Sequence, residues 1–447
     1  MLIGAGSVVF TQGLIADLIR NSDGKGWRLG LVDIDPAALD VAVKLCKKVI
    51  QVKKSDLELS YSTDRCDVLP GADYVISTIG VGGRRAWEQD VFIPRKYGIF
   101  QPVGDTVMPG GISRAMRMIP AMLDITADIE KYCADAYFFN YANPMTMICR
   151  AVRKSKGFPI TGLCHGVNDT SRALAKFAGL DGDKTTYLAA GLNHLTFIYD
   201  LRCEGDDALE IIRYKLSRIK GEGADWSGVG ELFAEMGGSP KELIEPFAWE
   251  FFETYGVYPA PGDRHITEFF AERFSGGNYY GKILGVDAYS FEKTIEYGDK
   301  GYEYMKSLAF SEDPLPESFF RRFSGEHEQI MEIIHSIEID SRRIYSVNIP
   351  NEGVIPNLPR DAVLEIPAVA AAREVIPLCI GNLPDAFAAL LSKHIAIAEI
   401  TVEAALKGDR KLFAEAVLMG GYISDRAAVE KMVGEMLKAQ KPYLPQF

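Results

Sequence analysis

The sequence predicts an α/β protein in which an N-terminal Rossmann half precedes an α+β half. Three observations predict it. The 447 residues exceed what one hydrophobic core usually serves, so two domains are expected, 1–168 and 169–447. A glycine turn, Gly4-Ala5-Gly6-Ser7, lies between an apolar run and an apolar helical pattern. From there to about residue 168, short apolar runs ending in turn formers alternate with helical patterns, as a parallel sheet requires.

The first strand has only Met1-Leu2-Ile3 ahead of the turn, so either it is short or residues precede Met1. A helical pattern then runs to about Asn21, and the apolar run Leu29 to Val32 ends at Asp33. Strand, glycine turn, helix, strand and acid make a degenerate dinucleotide fingerprint. Gly4 serves the turn, Gly6 lets the backbone approach a pyrophosphate, and Ser7 opens the helix. Val9 stands where a third glycine would be. Asp33 is placed for a ribose diol and favours NAD over NADP, because a 2′-phosphate would meet its carboxylate; it is equally placed to cap the next helix. A third strand over 72–83 ends in Ile79, Gly80, Gly82 and Gly83, beside the cofactor position or simply in a turn.

After a helical pattern to about Tyr97, Gln101 to Gly111 reads as a loop whose only carboxylate is Asp105. That acid is either solvated or in contact with substrate or metal. Arg114 and Arg117 follow a turn apart on the next helix. The fourth and fifth strands are AYFFNYANP and PITGLCHGV, with a helix from Met145 to about Lys156 between them. Asn140 and Asn143 stand at a strand end, where amides suit ribose or sugar hydroxyls, although Asn-Pro is also an ordinary turn signal. Cys164 and His194, in GLCHG and GLNH, each end a short apolar run. A lone Cys and a lone His are often just buried groups. Together they are too few for a structural zinc site, but they suit an open site completed by substrate oxygens and water.

Composition narrows the function classes. The formal charge of −12 would repel nucleic acid and anionic membrane, and no apolar run is long enough to cross a bilayer. Seven cysteines without paired spacing argue against a disulfide framework and for a reducing compartment, with the cytoplasm as default. A small-molecule partner is expected.

GAGS, VDID, NYANP, GLCHG and GLNH, in this order and at these separations, resemble the NAD- and manganese-dependent glycosidases of glycoside hydrolase family 4, which depart from the two-carboxylate scheme. The resemblance spans nearly the whole chain. It implies a fold like that of lactate and malate dehydrogenases. QPVGDTVMPGGI and ETYGVYPAPGDRH look most like the α-galacturonidase branch, which implies an α-glycoside or oligo-uronide substrate. α-Glucosides, α-galactosides and α-glucuronides are the alternatives within the family. The resemblance implies a divalent cation, Mn²⁺, on Cys164 and His194, although ligand softness alone would assign zinc. It implies NAD bound by Gly4, Gly6, Ser7, Asp33, Ile79, Gly80 and Asn140. The chemistry implied is oxidation at sugar C3, loss of the C2 proton, elimination of the aglycone, water addition and return of the hydride. By motif position the base is Asp263, with Tyr258 as fallback, and His165 is the candidate acid for the leaving group. Asn143, Asn193 and Asp105 are expected at the substrate, with Arg264 and His265 the nearest basic groups for a uronate carboxylate. Members acting on phospho-sugars carry an arginine seven residues before Pro94; Trp87 stands there in this chain, against a phosphate handle. A homodimer or homotetramer is implied as well.

The rest of the chain bears mainly on fold. Residues 205–255 read helical, 281–291 as strand or loop, 345–370 as paired short strands, and Pro384 to Leu437 as helices with an apolar face. The domain boundary is expected at 166–172. A lactate- or malate-type dehydrogenase is the rival reading, with Gly325-Glu326-His327 a faint echo of its catalytic loop; a non-catalytic NAD sensor is the other.

Overall fold

The computed structural model describes residues 1–20, 26–221, 245–321, 329–372 and 374–447. The N-terminal half is the expected Rossmann arrangement. Six strands, β1 (Leu2–Ile3), β2 (Arg28–Val32), β3 (Glu58–Ser62), β4 (Tyr74–Ser77), β5 (Tyr137–Asn140) and β6 (Thr161–Gly162), lie parallel in the order β3-β2-β1-β4-β5-β6. The apolar runs explain the central position of β1: Leu2 pairs with Leu31 on one side and Ile76 on the other, all three buried.

The second half continues the same sheet with antiparallel strands. They are β7 (Thr185–Leu192), β8 (Leu195–Cys203), a short β9 (Asp206–Asp207), β10 (Tyr258–Ala260), a separate hairpin of β11 (Asn278–Tyr279) and β12 (Lys282–Ile283), then β13 (Arg343–Pro350), β14 (Val363–Ala371) and β15 (Glu374–Pro377). The junction is a single register pair, Asn348 opposite Gly162, so β13 zips onto β6. One hydrophobic cluster runs from Leu2 to Leu444. The boundary expected at 166–172, and the division after residue 168, therefore fall inside the continuous helix Gly166–Ala178, and the two halves share one sheet and one core.

Three C-terminal helices, Asp385–Lys407, Arg410–Met419 and Arg426–Gln440, fold back over the first half. They cover Met108–Tyr132, a helix buried along most of its length. Gln440 Nε2 donates to Ala86 O (2.8 Å) and Asp90 Oδ1 (3.0 Å). Asp90 is also the bidentate partner of Arg117, an ion pair fully removed from water. Strands β13 and β14 are the paired strands expected over 345–370. Of the stretch 205–255, Ala208–Gly221 and Pro246–Tyr255 are helical, and the part between lies outside the described residues, as does Gly325-Glu326-His327. Among the described residues no helix is long and apolar enough to cross a membrane.

Candidate active site and metal centre

The C-terminal ends of β1, β4, β5 and β6 open on one crevice, where α/β sheets bind ligands. Gly4 has φ +92°, and a Cβ there would lie 2.8 Å from Ile79 N, so only glycine lets the β1 and β4 loops come this close. Gly6 N donates to Asp33 Oδ2 (2.7 Å), and Asp35 N donates to Asp33 Oδ1 (2.9 Å). Asp33 thus braces the glycine turn from a partly exposed position, and burial raises its pKa from the ordinary value. Ser7 and Gly80 are exposed and Ile79 is half-buried.

Asn140 departs from expectation. It is fully buried; its Nδ2 donates to Ala142 O (2.9 Å) and its Oδ1 accepts from Ala142 N (3.0 Å). The amide closes a local turn two residues long. Asn143 is the open one: its Nδ2 donates to Asp105 Oδ2 (3.0 Å), while its Oδ1 is buried without a partner.

The centre of the crevice joins three distant segments. Hairpin β7–β8 turns through Asn193 and His194, and His194 takes φ +66°. Ala260 pairs with Thr196, which brings the segment after β10 against that hairpin. The Gln101–Gly111 loop supplies Asp105. As a result Asp105, His194 and His265 hold ligand atoms all within 4.8 Å of one another. The two imidazole rings lie 4.1 Å apart at 52°. His194 Nδ1 is 2.7 Å from Thr106 Oγ1, which donates to Asp105 Oδ1 (2.7 Å).

Burial lowers the pKa of His194 to about 4 against the opposing pull of Asp105, and burial followed by His194 itself holds His265 well below the usual range. Both rings are neutral at pH 7 and offer lone pairs. Burial alone would raise Asp105, but His194, His265 and Arg114 outweigh it and the carboxyl lies below its ordinary range. One carboxylate and two neutral imidazoles suit a divalent cation. Of the expected pair, only His194 belongs to this cluster. Cys164 stands outside it, with its Sγ accepting from Gly166 N (3.4 Å) at the start of a helix on which Pro261 packs. His165 beside it is exposed and acts electrostatically on both imidazoles. Asn193 is fully buried beside Glu365, and neither its amide nitrogen nor its oxygen makes a well-formed hydrogen bond. Such orphans call for a ligand group.

Asp263, the base expected from motif position, has its carboxyl engaged by the protein in this structure. It is fully buried; Oδ2 accepts from Phe247 N (2.9 Å) and Tyr279 OH (2.6 Å), and Oδ1 accepts from Ala248 N (2.7 Å). The carboxyl caps the N-terminus of helix Pro246–Tyr255, and burial raises it to about 6. The fallback is engaged likewise: Tyr258 is buried against Trp249, its hydroxyl donates to Glu245 Oε2 (3.1 Å), and burial pushes its pKa far up. Arg264 Nη2 donates to Thr294 Oγ1 (3.0 Å), and its buried Nε lacks a partner.

Two groups carry site roles that sequence reasoning had not assigned. Arg114 Nε donates to Asn143 O (3.0 Å), and its Nη2 would lie 3.7 Å from a Cβ placed on Gly80. It sits near Trp87, whose Nε1 donates to Val103 O (2.7 Å). Glu268 Oε1 accepts from Val103 N (2.8 Å) and Gly104 N (2.7 Å), which ties the Asp105 loop to the segment carrying His265. A glutamate one helical turn beyond His265 was the available signal.

Comparisons with known proteins agree with this geometry. The model described as family 4 glycosyl hydrolase matches residues 1–180, and that of its C-terminal domain matches residues 189–420. An α-glucosidase of Erwinia rhapontici is 31% identical over 99% of this chain and 98% of its own. An α-galacturonidase of Thermoanaerobacterium saccharolyticum is also 31% identical, over 99% and 95%. A 6-phospho-α-glucosidase from gut microorganisms, solved in complex with NAD and Mn²⁺, has the same fold with TM-score 0.84 at 18% identity, covering 100% of this chain and 99% of the other.

Proposed function

The chain belongs to glycosyl hydrolase family 4, and from that premise we propose that it cleaves an α-glycoside, an α-galacturonide by preference, with NAD and Mn²⁺ bound in the crevice. The observation that carries the proposal is the placement of Asp105, His194 and His265 at the strand ends, beside the Gly4 and Gly80 turns.

The residues present fit both groups. Gly4, Gly6, Ser7 and Gly80 leave backbone exposed or uncrowded where a dinucleotide would lie, and Asp33 keeps a partly exposed carboxylate for a diol. His194 and Asp105, with Cys164 alongside, would hold the cation. When bound, NAD supplies reversible hydride storage and the cation polarises sugar oxygens.

The chain's own residues supply the rest. Asn143 Oδ1 and the Asn193 amide, both orphaned, take sugar hydroxyls. His265, its ring 4.1 Å from that of His194, accepts the carbon-bound proton in place of Asp263 and leaves the cation to His194 and Asp105. His165, exposed at the helix start, protonates the leaving oxygen. Arg264, with its unpartnered Nε, and Arg114 read a uronate carboxylate, while Trp87 fills a position where a phosphate would need a cation.

The test is release of nitrophenol from a panel of p-nitrophenyl α-glycosides with NAD⁺, Mn²⁺ and a reductant, then with each omitted. The galacturonide should be cleaved fastest, and only in the complete mixture. Full activity without cofactor and metal would end the proposal; a complete mixture that prefers the glucoside would keep the mechanism and move the substrate to the specificity of the Erwinia relative.

A further inference from the structure

We propose that Thr106 fixes the tautomer of His194, holding the proton on Nδ1 so that Nε2 is the nitrogen offered to a cation. The inference rests on the reading of His194 as a metal ligand and adds a positioning residue to it.

The argument is a count of hydrogens. Thr106 is buried and its hydroxyl has one hydrogen and two lone pairs. Oγ1 lies 2.7 Å from Asp105 Oδ1 and 2.7 Å from His194 Nδ1. An aspartate carboxylate only accepts, so the single hydroxyl hydrogen goes to Oδ1. What remains toward His194 is a lone pair, and a neutral imidazole can satisfy it only as a donor, from Nδ1–H. The second nitrogen then carries the free pair. Asp105 Oδ2 is held by Asn143 Nδ2 (3.0 Å), so the carboxylate cannot swing away and release the hydroxyl. The hydrogen bonds of Asn143 on one side, and of His194 through Thr106 on the other, thus converge on the Asp105 carboxylate. Outer groups of this kind orient a ligating histidine and set its basicity.

The experiment uses full-length, metal-free protein labelled with ¹⁵N in its six histidines. Long-range ¹H–¹⁵N spectra report the tautomer of each ring, and the His194 signals are identified by their loss in His194→Gln. The wild type should show Nδ1–H at His194. Thr106→Val, which keeps the shape and removes the hydroxyl, should lose that preference and bind Mn²⁺ about 10–100-fold more weakly. Thr106→Ser should restore both, an outcome that packing alone would not produce. A wild-type His194 in the Nε2–H form overturns the inference, and so does a folded Thr106→Val protein with unchanged tautomer and Mn²⁺ affinity. Should Thr106→Val not fold, the wild-type tautomer and the Ser variant decide alone. A wild type with Nδ1–H that binds no Mn²⁺ supports the tautomer and refutes the cation reading of the site, so the two failures are separable.

Discussion

Replacing Glu365 with glutamine should make the protein more stable at pH 8 and much less so at pH 5. Glu365 lies on β14 opposite both Asn348 and Gly191, almost wholly buried. Its Oε2 accepts from Thr196 Oγ1 (2.8 Å), and the Asn193 and Asn348 amides face it, yet no cation contributes to its environment. Burial therefore dominates and raises the carboxyl from 4.5 to about 7. The sign follows. Below pH 4.5 the group is protonated folded or unfolded. As pH rises toward 7 the unfolded chain ionises while the native one keeps its proton, so stability falls across that window and the loss is complete above the folded value. A shift of this size corresponds to about 3 kcal/mol. A chain this long gains roughly 1–2 °C in Tm per kcal/mol, so the variant should melt about 3–6 °C above wild type at pH 8. Glutamine keeps an acceptor for Thr196 and carries no ionisable proton. Differential scanning calorimetry from pH 5 to 8 measures it. A variant whose Tm tracks wild type in parallel, or falls at pH 8, would show that Glu365 is an ionised anchor and refute the reasoning.

Three further outcomes follow from the site and its supports. Gly4→Ala should raise the dissociation constant for NAD⁺ by more than about tenfold in calorimetric titration, because the new Cβ would meet Ile79 N at 2.8 Å in a backbone of positive φ. Arg117→Met should cost about 3–5 kcal/mol in thermal stability by stranding Asp90 in a fully buried site; a loss under 1 kcal/mol would show that Asp90 finds another partner. Asp263→Asn should lower Tm, since its amide group cannot accept from both Phe247 and Ala248, while kcat stays within about tenfold. A well-folded variant that lost 10²–10⁴ in kcat, on the order of a general base, would reinstate Asp263 as the base.

The sequence was legible where chemistry is written locally. The turn from Gly4 to Ser7, the acid ending β2 and the strand-helix alternation each depend on neighbours within a few residues, and the parallel sheet carries them as expected. His194 was legible as a polar group delivered by a hairpin. The partners of His194 were not, because residues 105, 194 and 265 share no spacing; they converge through the β8·β10 register and the Thr106 hydroxyl, both long-range facts. Asp263 shows what a local reading leaves out. Motif position put it near the site, but the direction of a side chain on the one-turn helix Asp263–Ile266 is set by what it can bond, and two bare amides of the preceding helix claimed it. Asn140 and Asn143 looked equivalent before a proline; the self-closing turn at Ala142 separates them. The continuity of the sheet across the two halves has the same origin, since the pairing of Gly162 with Asn348 joins positions far apart in the chain.

The central claim is that the crevice holds a cation on His194 and Asp105. Electron paramagnetic resonance of free Mn²⁺, titrated into metal-free wild type, His194→Ala and Asp105→Ala, tests it without reference to any substrate. The wild type should bind one ion per chain, and each variant should weaken that binding more than about tenfold while remaining folded. A His194→Ala protein that binds Mn²⁺ as tightly as wild type would contradict the account.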